Sequence, residues 1–403
     1  MTVHAKRNLG SSVITNQPYT VQKNQYLPAL TALRGIAALW VVLFHMDVIT
    51  FYRELGPIVP HAWTGLITQG YLWVDFFFIL SGFIICHIYG EQLSGKVQLN
   101  KIKPYLLARF FRIYPLHLFT LIVLIALVMV VATFAPAVID DSWLVYFDWQ
   151  ALLSNIFLTN AMNQHTYLSW NIVSWSIGAE WWAYLYGIAL LYFINNAQGI
   201  RSVGIAVVAV IGLVLLVNFH ANNTLDITFD YGFLRCLFEF SLGVTIYQAY
   251  QQNIARTIFQ QDRYFLLTLF ALIAVFHWRL NDLLTIPLFS ILVLCAANNQ
   301  GKVLSCLSTP ILEFLGRISY SIYLMHGVWF MIYWFLFPLL KNSWHLETLS
   351  FEQRLIFVTS FIVLTILSAI FSYRFIEVPF RYSLKKHTKT SCKHDKPLTV
   401  VDK

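Results

Sequence analysis

Long apolar runs, each closed by polar residues or by Pro and Gly, follow one another along nearly the whole chain. They do not alternate apolar with polar positions as the strands of a membrane barrel do; Leu121 to Ala132 is apolar without a break. In lipid such runs must satisfy their backbone polar groups internally, so they predict helices. Ten are expected, at 32–51, 65–90, 115–135, 171–194, 203–219, 230–250, 264–278, 283–297, 314–337 and 355–376. The seventh and eighth are short. They read either as a helical hairpin broken at Asn281 and Asp282 or as tilted spans in a thin region of bilayer.

Composition agrees with this pattern. Only 11% of the 403 residues are charged, 58% are hydrophobic, and the mean hydropathy is +0.64. A soluble protein carries about 25% charge. Thirteen Trp and 21 Tyr suit interfacial belts. The five cysteines form no C-x-x-C pair and no metal spacing, so neither a disulfide framework nor a metal site is expected.

The net charge of +8 reports topology and not nucleic-acid binding. With the N-terminus inside, 22 of the 27 basic residues fall on the cytoplasmic side, and only Arg53, Arg235, Arg279, Lys341 and Arg354 fall outside. The segment 136–170 has Asp140, Asp141 and Asp148 but no Lys or Arg, as a translocated loop should, and can hold an interfacial helix from Ala151 to Thr159. The expected fold is an all-α polytopic membrane protein of about ten transmembrane helices in the inner (plasma) membrane, with both termini cytoplasmic. A polar segment at 1–28, without the apolar core of a secretory signal, precedes a membrane domain at 29–380; a basic, disordered tail is expected at 381–403. No internal repeat is evident.

Ionisable groups inside a span are costly, and each is a candidate for function or for helix–helix bonding. Ten residues separate Arg34 from His45, so the two share a helix face and lie about 16 Å apart along it, with the imidazole near mid-bilayer. Arg34 reads equally as a topology anchor, whereas for His45 function outweighs a buried structural histidine. Asp75 sits about 15 Å below the outer end of the second helix. It could orient His45, pair with an arginine or be purely structural. Ser81 and Gly82 read first as close-packing residues. Ser176 and Glu180 are four apart on one face; Glu180 could polarise an imidazole or hold a hydroxyl, or else pair with Arg235 or Arg34. Arg235 and Glu239 read as a structural i,i+4 ion pair. His326 reaches similar depth and could face the same cavity or bond a neighbouring helix. Arg109 and Arg112, three apart at the mouth of the third helix, suit a phosphate-bearing ligand or anchor the topology.

Together these residues resemble the membrane-bound acyltransferase 3 family. The resemblance runs from Leu30 to about Phe380 and rests on Arg34 with His45, on Val74-Asp75-Phe76-Phe77 and Ser81-Gly82-Phe83, on Arg109-Phe110-Phe111-Arg112-Ile113-Tyr114-Pro115, on Ser174-Trp175-Ser176 with Glu180, and on Gly316 to His326. It implies transfer of an acyl group, usually acetyl, from cytoplasmic acyl-CoA to a hydroxyl of a cell-surface or lipid-linked saccharide. His45, Glu180 and Asp75 would then be catalytic, with Arg34, Arg109, Arg112, Ser176 and His326 binding substrate. Acyl-CoA would be a donor substrate and not a resident cofactor, and membrane lipids would surround the domain. Some members carry a fused extracytoplasmic hydrolase-like domain. This chain is expected to act without one, finishing the transfer itself or handing over to a separate extracytoplasmic partner. The competing class is a secondary transporter or flippase with a mid-membrane proton relay.

Overall fold

A computed structural model describes residues 26–93, 98–139, 145–195, 199–345 and 347–381. The polar N-terminal segment through residue 25, Asp140, Asp141 and the basic tail from 382 onward lie outside the described residues. Twelve helices of eight residues or more carry the fold among those residues: α1 (Pro28–Tyr52), α2 (Trp73–Tyr89), α3 (Leu99–Phe134), α4 (Trp149–Ile156), α5 (Trp175–Asn195), α6 (Ile200–Phe219), α7 (Gly232–Gln251), α8 (Asp262–His277), α9 (Thr285–Asn298), α10 (Pro310–Arg317), α11 (Ser319–Trp344) and α12 (Phe351–Ser372). No described residue is in a strand.

Each of the ten expected runs is helical, but among the described residues seven helices are long and apolar enough to cross a membrane by length and composition. The other three are α7, which carries Arg235 and Glu239 among its apolar residues, and the short hairpin α8–α9. That hairpin turns where the sequence suggests: Asn281 accepts from Leu283 N at 2.9 Å, and buried Asp282 accepts from Tyr71 Oη at 2.7 Å and Leu225 N at 2.8 Å.

Two boundaries differ from the sequence reading. The third helix begins at Leu99, not near 115, and runs through both Pro104 and Pro115. Each proline removes one donor, yet burial of Tyr105, Ile113 and Leu116 on the flanking turns keeps the helix going. Arg109 and Arg112 therefore sit within α3 and not at its mouth. The ninth run is two helices broken at Ile318, and at Gly316, just before the break, α10 packs so closely on α1 that a Cβ would collide with Thr31 O. The segment 136–170 does contain a short helix, α4, shifted to start at Trp149 because Asp148 caps it, accepting from Ala151 N at 2.6 Å.

Burial sorts the spans into layers. The most apolar windows of α2 and α11 are each 72% buried, whereas those of α6 and α12 are 17% and 22% buried. Hence α2 and α11 form the centre, and α6 and α12 present their apolar faces outward to lipid. Gly82 of α2 and Gly243 of α7 face each other so closely that a Cβ on either would strike the opposite backbone. The small residues read as packing do pack, and this contact presses Asp75 against Arg235.

The connecting segments fall into two groups that touch within themselves. On one end Leu349 N bonds Leu55 O at 3.1 Å, His277 Nδ1 meets Thr64 Oγ1 at 2.9 Å and Arg354 donates to Pro57 O at 3.0 Å. On the other, Asp262 accepts from Lys302 N at 2.8 Å and Gln300 N bonds Gln260 O at 3.2 Å. All five bases that the alternation assigns to the first end are held by protein. Arg279 donates to the His61 and Thr64 carbonyls, Lys341 pairs with Glu54, Arg354 bonds Pro57, Arg235 pairs with Asp75, and Arg53 lies 4.1 Å from the centre of the Trp334 ring.

Candidate active site

Two chambers lie back to back inside the bundle. The first is lined by Arg34, Arg109, Arg112, Ser176 and Glu180, with Ser81, Tyr184 and Tyr320 among its other polar residues. The second is lined by His45, Asp47, His61, Tyr71, Asp226 and Arg235. Val74 and Tyr323 line both, so these two side chains belong to the wall between the arginine chamber and the histidine chamber.

The arginine chamber gathers five of the eight singled-out residues, but not as a simple fork. Arg112 Nη1 lies 3.3 Å from Glu377 Oε1. Glu377, with a fully buried side chain, also accepts from Arg381 at 3.2 Å and Ser321 Oγ at 2.9 Å. It lies in the single π-type turn Tyr373–Glu377 that follows α12. Arg109 donates to Tyr89 Oη at 3.1 Å, and its guanidinium lies over the Tyr89 and Tyr184 rings. Arg34 has no hydrogen-bond or ion-pair partner among the described residues and lines the cavity from α1. Among the described residues neither Arg34 nor Arg109 has a carboxylate partner, so both charges face the cavity, whereas that of Arg112 is met by Glu377.

Glu180 pairs with no arginine among the described residues. It accepts from the hydroxyls of Ser81 and Tyr184, so Ser81, read from sequence as a packing residue, also serves a carboxylate. Ser176 Oγ lies 2.7 Å from Tyr323 Oη, one turn of helix before Glu180.

His45 faces the histidine chamber and Arg34 the other, a separation that their shared helix face and rise of about 16 Å did not by themselves imply. Neither carboxylate expected to orient it does so in this structure. Asp75 is fully buried and accepts from Arg235 at 2.8 Å, with Glu239 3.6 Å from the same guanidinium and Trp175 beneath it at 5.6 Å. The structural reading of Arg235 and Glu239 holds, and Asp75 joins them. The neighbour of His45 is His326, whose Nε2 is 3.3 Å from His45 Nδ1. His326 is wholly buried and lines neither chamber.

Sequence reading passed over Tyr323, Tyr184 and Glu377. Tyr184 is four residues after Glu180 and Tyr323 three before His326, so helical spacing from the residues singled out would have found both. Glu377 had no comparable signal, lying among aromatic residues where the last apolar run ends.

The fold and the paired chambers define a polytopic membrane protein whose polar site is enclosed within its helices. The chain belongs to the acyltransferase 3 family, whose model, described as an acyltransferase domain, matches residues 27–374. Among curated proteins it is 30% identical over 163 residues to "Acyltransferase MdmB" of Streptomyces mycarofaciens, covering 40% of this chain and 38% of that one. It is 23% identical over 390 residues to "Putative O-acetyltransferase SACOL0978" of Staphylococcus aureus (strain COL), covering 89% of this chain and 58% of that one. It is also 35% identical over 115 residues to "Protein 2 in picA locus" of Rhizobium radiobacter, covering 28% of this chain and 51% of the relative. The chain thus spans between about two fifths and three fifths of the length of these relatives. No solved structure matches it.

Proposed function

We propose that this protein is a membrane-bound O-acyltransferase that moves an acyl group, acetyl first among candidates, from cytoplasmic acyl-CoA to a hydroxyl of a cell-surface or lipid-linked saccharide. The observation that carries the reading is the pair of chambers, one rich in arginine and one presenting a histidine, with Val74 and Tyr323 lining both. Transfer across a membrane needs this: an anionic donor held from one side, an acceptor held from the other, and a thin wall where they meet.

In this mechanism the phosphates of CoA rest against Arg34, whose guanidinium is uncommitted, with Arg109 nearby. The pantetheine arm extends along α1 to the wall, a helical rise of about 16 Å from Arg34 to His45. The acceptor hydroxyl gives its proton to His45 as its oxygen attacks the thioester carbonyl. The C–S bond breaks, the thiolate leaves and is protonated to CoA, and His45 releases its proton to the solvent side of its chamber. Holding both reactants out of water supplies much of the rate. The charge bias supports an orientation with Arg34 towards the cytoplasm and an inner-membrane location. In a cysteine-free background, an impermeant thiol reagent applied from outside should then label a cysteine at Trp63 and not one at Lys302.

The test is purified protein in nanodiscs with radiolabelled acetyl-CoA, scored for donor binding and for CoA release. His45→Ala should lower turnover about 10²- to 10⁴-fold while donor binding persists. A transporter or flippase would neither bind nor cleave acetyl-CoA, and that result would replace this reading. Mass spectrometry of surface and lipid-linked saccharides with and without the protein then identifies acceptor and acyl group.

A further inference from the structure

The pair His45 and His326 has a proton arrangement that the heavy atoms determine. His45 Nδ1 is 2.9 Å from Val41 O, and a carbonyl only accepts, so Nδ1 carries the hydrogen. His326 Nδ1 faces Ile322 O at 3.3 Å, which puts its hydrogen on Nδ1 as well and leaves a lone pair on Nε2. That lone pair lies 3.3 Å from His45 Nδ1. The two assignments agree: His45 shares its Nδ1–H between Val41 O and His326 Nε2. The opposite tautomer of either ring would set lone pair against carbonyl or N–H against N–H.

The rings are also fixed in place. Their centroids are 4.8 Å apart, with Phe44 and Phe330 edge-on to His45 and Tyr323 edge-on to His326. His326 is fully buried on the central helix α11, and no described carboxylate bonds to His45.

We infer that His326 is a positioning residue for His45: its Nε2 accepts the His45 Nδ1–H, holding His45 in the tautomer whose Nε2 lone pair is bare towards the acceptor chamber. The role corresponds to that of the carboxylate in a Ser-His-Asp triad, filled by a neutral imidazole. Once His45 takes the acceptor's proton on Nε2, its Nδ1–H becomes a stronger donor and the bond to His326 tightens, favouring the transition state over the ground state. His326 gains no proton. This inference rests on the acyltransferase reading and deepens it.

Two substitutions separate positioning from packing. His326→Asn keeps a donor where Nδ1 stands, and so the bond to Ile322 O, but has no atom at the Nε2 position. His326→Gln carries its amide oxygen out to that position. With each variant checked for monodispersity and donor binding, kcat and the donor KM are measured for acyl transfer, alongside His45→Ala. His326→Asn should lose about 10- to 100-fold in kcat, by analogy with the outer partners of metal-bound histidines, with the donor KM unchanged. His326→Gln should recover most of that loss. Equal activity of the Asn and Gln variants, or a wild-type kcat in His326→Asn, overturns the positioning role. If instead His45→Ala transfers acyl groups at the wild-type rate, the proposed function itself fails.

Discussion

Tyr323 Oη stands 2.7 Å from Ser176 Oγ, and this hydroxyl pair ties a ring from α11 to α5 in the wall between the two chambers. Removing the ring should join the chambers. Tyr323→Ala is expected to raise CoA release in the absence of acceptor, because water then reaches the thioester. It should also cost about 3–5 kcal/mol of stability, as large aromatic truncations do. Tyr323→Phe keeps the ring, and Ser176 retains its bond to Val173 O, so leakage should stay near wild type. Acceptor-free CoA release measures it, and an Ala variant as tight as wild type would place the barrier elsewhere.

Arg34 and Arg112 should respond differently to alanine. Arg34 has no partner among the described residues, so Arg34→Ala removes only a donor-binding contact, worth about 1.5–3 kcal/mol as a charged hydrogen bond. The acyl-CoA KM should rise about 10- to 150-fold, with a smaller effect on kcat. Arg112→Ala leaves Glu377 short of a cation inside the protein, and its main effect should be on thermal stability. A larger donor KM effect at Arg112 than at Arg34 would reverse this division of labour.

Asp75 and Arg235 should behave as a buried structural pair. Asp75→Asn leaves the Arg235 guanidinium with Glu239 at 3.6 Å as its remaining carboxylate, at a cost of about 3–5 kcal/mol. Replacing all three groups, Asp75→Leu with Arg235→Met and Glu239→Gln, leaves no charge of this cluster buried without a partner and should recover part of that stability. Thermal unfolding followed by tryptophan fluorescence reads both. A triple variant no more stable than Asp75→Asn would show that the three side chains do not act as a unit.

The extramembrane helix α4 should be sensitive to acid. Burial pushes the Asp148 carboxyl up, but bonds from Ala151 N and Tyr167 Oη, with the charge of nearby His165, outweigh it and hold the group below its ordinary range. A depressed folded pKa gives stability that is complete above the unfolded value of about 3.9 and is lost as pH falls through the folded value. Asp148→Ala should therefore cost about 1 kcal/mol at neutral pH, and its difference from wild type should shrink below about pH 4. Hydrogen exchange across Trp149–Ile156 is the readout, and a gap that widens in acid would contradict it.

The amino-acid sequence by itself determined which segments are helical and how deep each polar side chain lies. Depth follows from counting, since a helix rises about 1.5 Å per residue, and a carboxylate or imidazole inside an apolar run stands out. Arg34 and His45 facing successive levels of one helix, and the turn at Asn281, were legible for that reason. The run of α3 through Pro104 and Pro115 was not, because the burial that overrides each proline comes from other helices. Partnership was equally hidden. Asp75 meets Arg235 across 160 residues, Arg112 meets Glu377 across 265, and His45 meets His326 across 281. A helix's own sequence sets its apolar faces and the height of each side chain. Which neighbour stands against a given face is decided by the packing of the whole bundle, through contacts as close as Gly82 on Gly243, and that is why His45 met a histidine where the sequence suggested a carboxylate.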